Sequence, residues 1–73
     1  MEQQESAQEL LARCNNARAA GTSFPTIWLE MLRRHPLVAG QPVQVAVGSE
    51  PLLEIALMTQ QSLVFLGGRF YLE

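Results

Sequence analysis

From Val43 to the end of the chain, apolar residues alternate with other residues in short runs separated by turn signals. This pattern limits the possible folds more than any other feature. A period of two is the mark of a half-buried strand, whereas a helix repeats every 3.6 residues. Val43–Val47 alternates, and Gly48-Ser49-Glu50-Pro51 then turns the chain. Residues 52–58 form a second run, Thr59-Gln60-Gln61 a second turn, and residues 62–66 a third run. Gly67-Gly68 is a two-residue hairpin signal before a last run over residues 69–73.

Loop lengths set the expected register. A two-residue loop at Gly67-Gly68 puts Phe65 opposite Phe70 and Leu63 opposite Leu72. A three-residue loop over residues 59–61 pairs Leu57 with Leu63 and Ile55 with Phe65. A five-residue connection puts Val45 opposite Ile55 and Val43 opposite Leu57. One face then reads Val43, Val45, Val47, Leu53, Ile55, Leu57, Leu63, Phe65, Phe70 and Leu72, with no polar intruder.

The first half reads as two helices. Ser6-Ala7-Gln8-Glu9 is a capping box, followed by Leu10, Leu11, Cys14 and Ala17 at helical spacing. Gly21, which takes positive φ at low cost, is the expected stop. Thr22-Ser23-Phe24-Pro25 starts a second helix, with Pro25 driving Phe24 out of the α region. Phe24, Ile27, Trp28, Met31 and Leu32 share one face of it, and Pro36 forbids its continuation.

The expectation is therefore an α+β domain, with two N-terminal helices packed on a four-stranded antiparallel meander. Residues 1–5 are read as a disordered N-terminal tail and residues 6–73 as a single small domain. A winged-helix-like arrangement is the alternative. There, residues 51–61, rich in Leu, Glu, Ala, Met and Gln, form a third helix before the hairpin.

Several function classes are disfavoured. Cys14 is the only cysteine and His35 the only histidine, so neither an internal disulfide nor a protein-only zinc site is expected. No cofactor is expected, and no small-molecule substrate is evident. A lone thiol and no recognisable leader suggest a cytoplasmic setting. All five bases are arginine, all seven acids are glutamate, and the net charge is −2, which argues against general attraction to nucleic acid or an anionic membrane. The reading helix of a winged-helix protein would offer Gln60 and Gln61 but no base. Leu72-Glu73 matches the pair many expression vectors place before a histidine tag.

Arg33-Arg34-His35 is the one cluster that looks like a site. It falls in the last turn of the second helix, where unpaired carbonyls and the negative end of the dipole favour cations. Structural capping is its main reading, and weak contact with an anion or partner its second. A Cys14–His35 dyad lacks a third, orienting residue, so no catalytic residue is assigned and the chain is read as a non-enzyme.

The face of the sheet away from the helices is the feature that needs a function. It is expected to carry Gln44, Ala46, Glu54 and Ala56 together with the candidate interaction surface Leu52, Met58, Val64, Leu66, Arg69 and Tyr71. Monomeric domains rarely leave such apolar patches uncovered. The functional expectation is a small protein-interaction or homodimerising domain. Its alternative is a winged-helix-like nucleic-acid binder.

Overall fold

The structure, a computed structural model, describes residues 5–48 and 50–73, without the side chains of Val47 and Glu50. It is an α+β fold in which two helices precede a four-stranded antiparallel sheet. The elements are α1 (Ala7–Ala19), α2 (Phe24–Ile27, continuing into a π-helical turn Trp28–Leu32), β1 (Val43–Val47), β2 (Glu50–Ala56), β3 (Ser62–Leu66) and β4 (Arg69–Leu72). The strands lie in chain order, so β1 and β4 are the two edges. Residues 50–56 being a strand removes the winged-helix alternative, because the helix that would read DNA is absent.

Helix α1 begins where its cap allows. Ser6 is extended, and its hydroxyl accepts the Glu9 N–H at 3.2 Å. Only half of the expected capping box forms: the Glu9 carboxylate takes the Ser6 hydroxyl proton and not the Ser6 amide. The helix ends at Ala19, with Gly21 at φ 93°. Its buried stripe is Ala7, Leu10 and Cys14.

Helix α2 departs from the uniform helix expected. Ser23 is its extended cap residue, and Phe24 falls inside the helix instead of before it. The Arg33 N–H then reaches back to the Trp28 carbonyl at 2.8 Å, five residues away. On a regular α-helix, Leu32 would sit about 140° around from Ile27. The wider turn swings it toward Ile27, and both side chains are fully buried. Core packing is thus the physical reason for the π turn.

The β3–β4 hairpin forms as the glycines direct. Phe65 faces Phe70 and Leu63 faces Leu72, with Gly67 and Gly68 both at positive φ. The β2–β3 pairing keeps the expected face but slides by two residues, with Leu53 opposite Phe65 and Ile55 opposite Leu63. The cause lies at Leu57, which leaves β2 to bridge Val38. The Ala39 N–H donates to the Ala56 carbonyl at 2.8 Å, and the Met58 N–H to the Leu37 carbonyl at 2.6 Å. Residues 57–61 are therefore a five-residue connection, and Met58 lies in it, not in a strand.

The β1–β2 register differs in parity. Val47 lies opposite Glu50, which leaves two residues for the turn, and Val43 faces Glu54 where Leu57 was expected. An odd shift sends every β1 side chain to the other face. Val43 and Val45 thus point away from the helices, while Gln44 and Ala46 share the helix-side face. The expected place of the Val47 side chain lies outside the described residues. Pro51 can belong to β2 because β2–β3 pairing starts only at Leu53, so no ladder bond needs its missing N–H.

One hydrophobic core results. Leu10, Cys14, Ile27, Leu32, Ile55, Leu57, Leu63 and Phe70 are buried together between the helices and one face of the sheet. Phe24 stacks on Phe65 at 4.9 Å and on Phe70 at 6.0 Å between ring centres, which fixes the start of α2 over the last hairpin. Two polar side chains anchor α1 to the same hairpin. Asn15 accepts the Phe70 N–H at 2.8 Å and donates to the Phe70 carbonyl at 3.1 Å. Arg18 donates to the Thr22 carbonyl at 2.6 Å and to the Gly68 carbonyl at 3.4 Å, with its guanidinium 5.7 Å from the centre of the Phe65 ring. The helical layer is thereby drawn toward β4.

Candidate functional site

The cluster at residues 33–35 is divided by the structure. Arg33 caps the π turn, and the side chains of Arg33 and Arg34 are exposed. His35 lies beyond the last helical turn, not within it, and its side chain is turned inward, 7% exposed. The Leu37 N–H donates to Nδ1 at 3.1 Å, so that nitrogen supplies a lone pair. The proton then sits on Nε2, which donates to Glu5 Oε1 at 3.1 Å. Glu5 also pairs with Arg13. Glu5, expected to end a frayed tail, is thus held between α1 and the segment after α2. Residues 1–4 of that tail lie outside the described part.

These contacts leave no imidazole nitrogen for a nucleophile. Cys14 is fully buried. Burial first, and the Glu5 carboxylate second, push its thiol from 9.0 up to about 11, against a smaller opposing effect of Arg13. A buried, protonated thiol and an imidazole bonded at both nitrogens do not form a dyad. Among the described residues, no group of three or more His, Cys, Asp or Glu side chains could hold a metal ion. No described helix is long and apolar enough to cross a membrane.

The sheet face opposite the helices is built from two cross-strand sets. Val43, Glu54, Val64 and Tyr71 lie side by side across all four strands. Val45 faces Leu52, and Leu66 faces Arg69. Leu52 and Val64 are buried although no helix covers them, which leaves their cross-strand neighbours as the cover. The open apolar area comes from Val43 (60% exposed), Tyr71 (48%) and Val45 (37%), with Leu66 half-buried and Arg69 exposed at the rim. Of the residues expected on this surface, Leu52, Val64, Leu66, Arg69 and Tyr71 share the face. Met58 is exposed in the following turn. Gln44 and Ala46, expected here, are replaced by Val43 and Val45.

The two sheet edges differ. At β4, Asn15 takes both outward-pointing backbone groups of Phe70, so α1 closes that edge at its centre. At β1, no described element packs beyond β2, and the side chains of Val43, Gln44, Val45 and Ala46 are all exposed. The surface also carries open hollows, among them one over Asn15, Arg18, Ala19, Gly68 and Arg69. A second, of about 480 Å³, is lined by Trp28, Arg33, Val38, Ala39, Gly40 and Gln41. Another, of about 300 Å³, lies on the helix side of the sheet, over Gln44, Pro51, Leu53, Phe65 and Gly67. Sequence reasoning missed the Asn15 and Arg18 anchors. Searches against protein-family models, curated proteins and solved structures gave no significant match to this chain.

Proposed function

We propose that this chain is a non-catalytic, cytoplasmic protein-binding domain that works through the helix-free face of its sheet. One observation carries the reading. Both helices pack on one face, and the opposite face keeps Val43, Val45 and Tyr71 open to solvent around a buried Leu52–Val64 floor. An antiparallel sheet with a wet face ordinarily alternates polar residues onto it. Among the described side chains of its strands, this face carries six large apolar residues, Val43, Val45, Leu52, Val64, Leu66 and Tyr71, against the charged Glu54 and Arg69, a composition closer to an interface core than to an ordinary wet face. The partner is a protein surface of matching apolar character, a second copy of the chain included. The net charge of −2 and the lack of a reading helix leave nucleic acid the weaker reading.

A photo-crosslinking amino acid at Tyr71, compared with the same group at the exposed Glu30 on α2, tests this in the native host. A discrete adduct from position 71 and none from position 30 supports the reading. Equal labelling from both positions, or none from position 71, refutes it.

A further inference from the structure

We infer that the open β1 edge pairs with the β1 edge of a second copy, in antiparallel register centred on Val45. The direction of the backbone groups fixes which residues would take part. Ser62 and Glu73 exchange hydrogen bonds at 3.1 and 2.9 Å, so the even-numbered residues of β3 bond to β4 and the odd-numbered ones to β2. Alternation across β2 then directs Leu52 and Glu54 to β1, and the Ala56 carbonyl confirms the direction by accepting from Ala39 on that side. Val43 and Val45, opposite Glu54 and Leu52, are therefore spent within the chain. Gln44 and Ala46 point their N–H and C=O groups outward.

Those two residues stand one on each side of Val45. Antiparallel pairing about Val45 puts Gln44 of each copy opposite Ala46 of the other, and all four outward N–H groups gain a carbonyl. Pro42, which has no N–H to offer, falls opposite Gly48 of the second copy. Residues 42–48 carry no charge, so the symmetric arrangement brings no like charges together. Natural edge strands are commonly blunted by lysine, bulges or cover, and this edge has only Pro42 at its start. The opposite edge needs no partner, since Asn15 already occupies Phe70. A short edge ladder buries less than the ~1,200 Å² of a standard interface, so the dimer is weak and transient.

This pairing adds a second surface to the face-binding reading; the two share the β1 register, and the experiments below fail separately from the Tyr71 crosslink. The test is amide hydrogen exchange and sedimentation of the whole chain between about 10 µM and 1 mM. Gln44 and Ala46 amides gain severalfold protection with concentration, while Val43 and Val45 amides are protected throughout. Ala46→Pro removes an outward N–H and no bond within the chain, and weakens the dimer at least tenfold while the Tyr71 crosslink persists. Val45→Lys and Val45→Glu are each monomeric, and their equimolar mixture recovers the dimer. Unchanged exchange at Gln44 and Ala46 up to 1 mM overturns the inference, as does a Val45→Lys variant that dimerises like the native chain.

Discussion

Asn15 does the work of a fifth strand at the β4 edge, and removing it has a consequence that can be sized. Asn15→Ala deletes one bond from the Phe70 N–H at 2.8 Å and one to the Phe70 carbonyl at 3.1 Å. Each such bond is worth about 0.5–1.5 kcal/mol net, so the pair contributes about 2 kcal/mol. The site is only partly buried, so water can reach the bared groups and the larger penalty of a dry unpaired amide does not apply. A chain of this length has about 4–11 kcal/mol to lose, and the melting temperature is expected to fall by roughly 10 °C. Urea unfolding followed by Trp28 fluorescence measures the loss, and amide exchange at Phe70 shows whether the edge has opened. Asn15→Asp keeps the acceptor but sets a carboxylate against the Phe70 carbonyl. It retains protection of the Phe70 amide and still loses about half of the stability contribution. An alanine variant within about 0.5 kcal/mol of the native chain, with Phe70 exchange unchanged, refutes the reasoning.

Cys14, with its thiol raised to about 11, reacts with iodoacetamide at pH 8 on the order of a hundredfold more slowly in the folded chain than in urea. The same shift sets a pH dependence. The unfolded chain loses the thiol proton first, so stability falls as pH rises from about 9 to 11, by on the order of 2–3 kcal/mol. Cys14→Ala abolishes that slope, and a slope unchanged in the variant assigns it elsewhere. His35→Ala strips the Leu37 N–H of its acceptor and releases Glu5, costing about 1–2 kcal/mol in urea unfolding, with faster exchange at Leu37. His35→Asn, whose side-chain oxygen sits near the Nδ1 position, recovers part of it. Gly67→Ala, at φ 61° with open space around the added carbon, costs about 1 kcal/mol through backbone strain alone, measurable as a lower urea midpoint at unchanged slope.

Much of this architecture is legible in the amino-acid sequence, where a residue type and a backbone requirement coincide. Ser6 and Gly21 bracket α1, and Gly67-Gly68 dictates a loop length and with it the β3–β4 register. The first hairpin was less legible for a physical reason. Pro51 reads as a strand breaker, but whether a missing N–H matters depends on whether a neighbouring strand runs past it, and β3 ends too soon. That one fact decides the parity of β1. Placing Val43 and Val45 on the solvent face and Gln44 and Ala46 at the outward ladder positions both follow from it. The π turn depends on where Leu32 finds space in the core, and the Leu57–Val38 bridge on a contact nineteen positions apart in sequence. Neither leaves a local trace. The helix-free face was legible in outline, because its β2–β4 members follow from parities that a two-residue slide preserves.

Both binding surfaces depend on the β1 register, and one nuclear Overhauser measurement reports it. Residues opposite each other at a non-hydrogen-bonded antiparallel position bring their Hα atoms into close contact. Gln44 and Leu53 occupy such a position here, so a strong Hα–Hα cross-peak between them is predicted. A pattern that instead sets Val45 against Ile55 would turn the β1 valines back toward the helices. The open apolar face and the outward Gln44 and Ala46 ladder would disappear together.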